Sequence, residues 1–147
     1  MNNPWFGMPV LLLAIASAEA TQDERRARGE KVIETLVGTG GQPVLQAMHE
    51  DFPFLAGAIT DYALGDVWAR EVLDHRTRQL ATVAAFAAQG NLAQLKIHAG
   101  YALRLGVTPD ELKEMIYLTT VTAGFPRAID AAQALREVLA SADASPS

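Results

Sequence analysis

The 147-residue sequence predicts an all-α domain, and three observations carry that expectation. Helix start and stop signals recur along the chain, no segment sustains the alternation of a half-buried strand, and no repeat of about 20 to 50 residues is visible. Short connections between the expected elements favour antiparallel neighbours, in a bundle of about six to seven helices.

Residues 1–20, MNNPWFGMPVLLLAIASAEA, stand apart from the rest. The apolar run from Gly7 to Ala16 is too short to span a bilayer, which takes about 20 residues, and Ala18-Glu19-Ala20 has the small-x-small form of a signal-peptidase site. The leading MNNPWF has no Lys or Arg, which export signals normally carry. Two expectations follow: a signal peptide cut after Ala20, giving a periplasmic or secreted protein, or an apolar arm packed on the domain or on a neighbouring subunit of a cytoplasmic one.

The domain is expected over residues 21–141. Thr21 and Glu24 form a capping box, in which hydroxyl and carboxylate satisfy free backbone donors, and Gly38 closes the pattern of Val32, Ile33, Leu36 and Val37. After a turn over residues 39–42, Pro43 to Asp51 reads as a short helix stopped by Pro53. A helix from Phe54 to about Trp68 follows, with Leu55, Ile59, Tyr62 and Ala63 at helical spacing and Gly65 expected to end or loosen it. Asp74 caps a helix to Gln89 with the stripe Leu80, Val83, Ala84 and Ala87, and Gly90 follows it. Asn91, with Gln94 three residues on, caps the next helix, which reaches Leu105 before Gly106. Thr108-Pro109-Asp110-Glu111 joins a capping box to a proline at the first helical position, and this helix ends near Gly124. Pro126 opens the last helix, reaching about Ala140, and residues 142–147 are expected to form a flexible tail. The many alanines and glycines suit either close packing within the chain or small-residue faces between subunits.

Composition narrows the function. A formal net charge of −5 and few clustered cations argue against nucleic acid, whose phosphates draw on Lys and Arg. Zero cysteine excludes disulfides, thiolate metal sites and thiol peroxidase chemistry. Nothing in the chain calls for stable membrane insertion.

Of the three histidines, His98 carries the most promising context. On the helix from Asn91 to Leu105 it shares a face with Asn91, Gln94 and Tyr101. Counting back equally from the hinge at Gly90 sets Gln79 opposite Tyr101 and Thr82 opposite His98. Polar residues on alanine-rich helices need partners if buried, so this row is either a site or a set of satisfied core and surface residues. Lys96 lies roughly 200° around the helix from His98 and serves another surface. Trp68 with Arg70, Arg76 and Arg78 suits a small carboxylate, through bidentate hydrogen bonds beside an aromatic plane. Asp66, Glu71 and Asp74 lie among these arginines, so ordinary surface ion pairs are the other reading. His75 is expected to be exposed near a helix start, and His49 lies beside Glu50 and Asp51, but no HxxxH or HExxH spacing supports a metal centre.

The run YxxGDVWxRxxLDxRTRxLxTVAAxAAxGxxxQLKxH, followed by GVTPDELKE and AGFPRAIDA, resembles the carboxymuconolactone decarboxylase family over about Thr21 to Leu139. The resemblance implies an alkylhydroperoxidase-like helical fold that assembles into ring-shaped homo-oligomers, commonly trimers or hexamers, with sites at or near subunit contacts. The peroxidase branch of that superfamily uses two cysteines, a histidine and an upstream glutamate, which match Asn91, Gln94, His98 and Gln79 here. Nucleophile, resolving thiol and relay acid are all missing, so a thiol peroxidase is ruled out. The decarboxylase branch is similar to this sequence at those positions. It implies conversion of 4-carboxymuconolactone to the β-ketoadipate enol-lactone in aromatic catabolism, by a reaction that runs without a cofactor. On that resemblance His98 is expected to be a general acid, with Gln79 and Gln94 as its polar partners. Trp68, Arg70, Arg78 and Tyr101 are expected to bind substrate. The pathway is cytoplasmic whereas the leader suggests export. An exported lyase or isomerase acting on another carboxylated ring, and a non-catalytic oligomeric binding protein, therefore stand as alternatives.

Overall fold

A computed structural model describes residues 20–144 of the chain. The expected signal peptide or apolar arm lies, apart from Ala20, outside the described residues, as does the end of the expected tail. Among the described residues there are helices and no strands. The helices are α1 (Gln22–Val37), α2 (Pro43–Asp51), α3 (Pro53–Ala58) running on into a π-helical stretch (Ile59–Trp68), α4 (His75–Gln89), α5 (Leu92–Arg104), α6 (Pro109–Thr122) and α7 (Phe125–Asp143).

The punctuation read from the sequence forms as expected. Both capping boxes close, Thr21 with Glu24 and Thr108 with Glu111, and Asp74 and Asn91 cap α4 and α5 by accepting the N–H groups of Thr77 and Gln94. Gly90 adopts a left-handed φ of 72° after α4, a conformation that costs glycine little. The last helix is longer than expected, running to Asp143.

Two layers result. Helices α4 to α7 pack on one another around Val83, Ala87, Leu95, Ala99, Leu112, Ile116, Ala131 and Leu135. Three of these eight side chains are alanines, which serve packing within the chain by letting backbones approach closely. The second layer is α1 laid along the π-helical stretch, with α2 and α3 linking the two in the chain and α1 reaching α5.

The segment from Ile59 to Trp68 departs from expectation. Gly65 does not end it, and the widening already begins at Ile59; Gly65 is buried inside it, where a Cβ would come within 2.1 Å of the Arg25 carbonyl oxygen. The glycine is there for close approach. Asp66 then receives Arg25 and Arg28 from α1, and the Arg25 hydrogen bond chiefly holds its carboxyl below the ordinary range. The turns here widen, with the Ala69 N–H bonding the Leu64 carbonyl five residues back at 2.9 Å. The inward stripe is therefore Ile59, Leu64 and Trp68, while Leu55 and Tyr62 are exposed. A period of 3.6 residues misplaces these side chains because the backbone period is longer.

Candidate active site

The seam between the two layers encloses a cavity of about 280 Å³. Its wall is mostly apolar: Ile33, Leu36 and Val37 from α1, Val44, Leu45 and Met48 from α2, Ile59 and Leu64 from the π-helical stretch, and Ile97 from α5. The remaining wall is Gln42, Trp68, Gln94, His98 and Tyr101, so four residues singled out in the sequence meet here.

Helix α5 supplies the polar side by its spacing. Gln94, Ile97, His98 and Tyr101 face the cavity, while Leu95, Ala99 and Ala102 turn fully into the core. The expected row needs one correction. Asn91 spends its side-chain oxygen on the Gln94 N–H as the helix cap, and Ile97 joins the face instead.

His98 is half-buried, with the rings of Phe86, Tyr101 and Trp68 at centroid distances of 5.2, 5.4 and 6.0 Å. Its Nδ1 lies 2.9 Å from Oε1 of Gln79, which is completely buried on α4. This overturns the pairing counted from the hinge. Gln79 stands against His98 rather than Tyr101, and Thr82 donates its hydroxyl to the Arg78 carbonyl at 2.8 Å. The turn at Gly90 consumes residues unequally on its two sides, so equal counting slips by one helical turn.

Burial pushes the His98 imidazole down from 6.5 to about 4, because the charged form loses hydration among those rings. At neutral pH it is uncharged. An amide oxygen only accepts, so Nδ1 carries the proton and Nε2 offers a lone pair. The Nε2 of Gln79 is buried with no hydrogen-bond partner among the described residues, which makes this pair costly to hold and marks it as more than packing.

The arginines sit elsewhere. Arg78 gives its guanidinium to the carbonyls of Arg70 and Leu73, pinning the segment between Trp68 and α4, and Arg76 pairs with Glu111. Arg70 is exposed on that segment, and neither Arg70 nor Arg78 lines the cavity. Lys96 pairs with Glu137 on another face, and His49 is exposed. His75 is partly buried in the first turn of α4, not exposed, because its Nδ1 lies beneath the surface. Among the described residues no group of three or more His, Asp or Glu is placed to hold a metal ion, and no helix is long and apolar enough to cross a membrane.

Two contributors were not singled out in the sequence. Phe86 packs its ring at a tilt against His98 from α4, and Gln42 caps α2 while touching Tyr101. Gln42 could have been found from its place immediately before Pro43 at a helix start.

The sequence profile of the carboxymuconolactone decarboxylase family matches residues 53–137, which hold α3 through most of α7 and with them His98 and Gln79. The chain belongs to that family. Its helical architecture is the alkylhydroperoxidase-like one expected of the carboxymuconolactone decarboxylase family. A 4-carboxymuconolactone decarboxylase of Acinetobacter baylyi is 36% identical over 94 residues, covering 64% of this chain and 68% of the relative. A nitrosuccinic acid decarboxylase of Metarhizium robertsii is 33% identical over 122 residues, covering 78% and 84%. An uncharacterized 15.0 kDa protein of Paracoccus denitrificans, from the nqo9-nqo10 intergenic region, is 32% identical over 101 residues, covering 67% and 75%.

Proposed function

We propose that this protein is a carboxy-lyase that decarboxylates 4-carboxymuconolactone, or a related small carboxylated lactone, without a cofactor and with His98 as the general acid. The observation that carries the reading is a histidine braced by a buried glutamine on the wall of an apolar cavity. Relatives named as decarboxylases of two small carboxylic acids support it.

The chemistry sets what the residues must do. The bond to the ring carboxylate breaks and CO2 leaves, while its electron pair moves through the ring double bond onto the lactone carbonyl oxygen. The resulting dienolate takes a proton on a ring carbon. An apolar wall favours loss of a carboxylate as neutral CO2, because the charged group is poorly solvated there. Gln94 and Tyr101 supply neutral donors for the developing oxyanion. Free His98 is uncharged, so the substrate's negative charge must draw a proton from solvent onto Nε2, with Gln79 holding Nδ1–H throughout. The imidazolium then gives that proton to carbon, and solvent restores it in the next cycle. Trp68 and Tyr101 flank the bound ring; Arg70, exposed outside the cavity wall on the segment after Trp68, attracts the second carboxylate from a distance, and Arg78 keeps that segment in place. Nitrosuccinic acid also carries two carboxyl groups, one beside a nitro group that accepts an electron pair. The substrate class is thus a small dicarboxylate with an electron sink next to the departing carboxylate.

Homo-oligomerisation belongs to the same reading, and the exposed apolar side chains Leu118, Val121, Phe125 and Ile129 on α6 and α7 support it. Light scattering tests it. Export stands beside it, and N-terminal sequencing of protein from cell fractions tests whether the mature chain begins at Thr21.

The deciding experiment follows CO2 release from 4-carboxymuconolactone with the full chain and its His98→Ala variant. Turnover reduced at least about a hundredfold in a folded variant is expected, the usual scale for a general acid. Equal rates remove His98 from that role, and no turnover by the wild type removes this substrate.

A further inference from the structure

Gln42 stands where the chain enters α2, and both ends of its side chain are engaged. Its Oε1 accepts the Leu45 backbone N–H at 2.6 Å, satisfying one of the free donors in the first turn. Its Nε2 lies 3.1 Å from the hydroxyl of Tyr101, 59 residues away on α5. These two ends are not interchangeable. A backbone N–H only donates, so the amide oxygen must face Leu45, and the amide nitrogen, which also only donates, is then left to face the phenol. Tyr101 therefore accepts from Gln42 and keeps its own O–H to give.

Among the described residues this is the one hydrogen bond of the Tyr101 hydroxyl. Both side chains line the cavity, and the Tyr101 ring stands edge-on to His98, 5.4 Å between centroids and 73° between planes. With Ile33, Leu36, Val37 and Leu45 nearby, an unspent donor is worth more here than in water.

We propose that Gln42 is a positioning residue that fixes the polarity of the Tyr101 hydroxyl, so that Tyr101 presents a hydrogen-bond donor to an anionic oxygen of the ligand beside His98. The proposal rests on the carboxylate-substrate reading of this cavity. It also joins the N-cap of α2 to the site, so one side chain both starts that helix and aims a group on α5.

Gln42→Glu separates the parts of this arrangement. The carboxylate still accepts from Leu45, but its second oxygen accepts as well, so the Tyr101 proton turns back toward residue 42 and is lost to the ligand. The added charge also repels an anion, and Tyr101→Phe controls for that, because repulsion persists without the hydroxyl whereas polarity does not. The probe is γ-butyrolactone-γ-carboxylate, which lacks the ring double bond needed for the dienolate; its binding to the full chain is followed by calorimetry, and thermal unfolding reports any loss of the α2 cap separately. Gln42→Glu is expected to weaken binding about tenfold more in the wild-type background than in the Tyr101→Phe background, the low end for a hydrogen bond to a charged group. Equal weakening in both backgrounds, or no weakening, overturns the proposal. Binding that shows this coupling in a protein that does not turn over 4-carboxymuconolactone would remove that substrate and leave the Gln42–Tyr101 pair standing. A wild type that binds no probe overturns both.

Discussion

Gln79 Oε1 and His98 Nδ1 meet at 2.9 Å, joining the buried face of α4 to the cavity face of α5. The contact fixes which ring nitrogen faces the cavity bare, and it leaves the Gln79 Nε2 without a partner among the described residues. Exchanging that amide for a carboxylate removes the orphaned donor and places a negative charge against the imidazole. Gln79→Glu is expected to raise His98 from about 4 to above its ordinary 6.5, read from the histidine C2 proton by NMR titration. An unmoved titration would mean that burial alone governs the group.

The same depressed value makes a stability prediction with a definite sign. In the folded protein His98 stays neutral down to about 4, whereas in the unfolded chain it protonates near 6.5. Between these values the unfolded state binds more protons, so the folded state loses stability as pH falls through the window and loses none above it. The ion-paired Asp61 and Asp66, held below their ordinary 3.8, act only at lower pH. Urea midpoints measured from pH 7 to pH 4 should fall more steeply for the wild type than for His98→Leu.

Turnover should report the proton that His98 must gain. If the transition state contains imidazolium while the free protein is neutral, kcat/KM falls about tenfold per pH unit above about pH 5. Bound substrate raises the histidine value, so kcat stays level to a higher pH than kcat/KM does. A flat kcat/KM profile from pH 5 to 8 would show that no proton is taken up before the rate-limiting step.

Arg70 and Arg78 should separate in kinetics. Arg70 is exposed beside the cavity's Trp68 in the chain, so Arg70→Ala is expected to raise KM with kcat little changed. Arg78 holds two backbone carbonyls, so Arg78→Ala should lower kcat and unfolding temperature together by freeing the segment that follows Trp68. Identical effects of the two changes would contradict this division.

Close approach between α1 and the π-helical stretch makes a stability prediction of its own. A Cβ on Gly29 would meet the Thr60 carbonyl oxygen at 2.0 Å, and one on Gly65 would meet the Arg25 carbonyl oxygen at 2.1 Å. Both obstacles are backbone and do not swing aside. Each glycine-to-alanine change is expected to destabilise by about 3 kcal/mol, the upper end for overpacking, in chemical denaturation. A loss under about 0.5 kcal/mol, as at an ordinary surface position, would mean that the two elements separate freely.

The sequence by itself determined what depends on neighbours in the chain. Thr21, Asp74, Asn91 and Thr108 announced their helices because a cap is a contact over three residues, and Gly90 announced a stop because a left-handed turn suits a residue without Cβ. The gathering of Gln94, His98 and Tyr101 was legible for the same reason, since one helix face is fixed by its period. Tertiary structure alone decided the rest. It set Gln79 against His98 one turn from the place that equal counting gave, widened the helix that carries Trp68, used Gly65 for contact, and brought Gln42 to Tyr101 across 59 residues. Each of these follows from how two helices seat against each other, and local periodicity carries no term for the offset between separate helices.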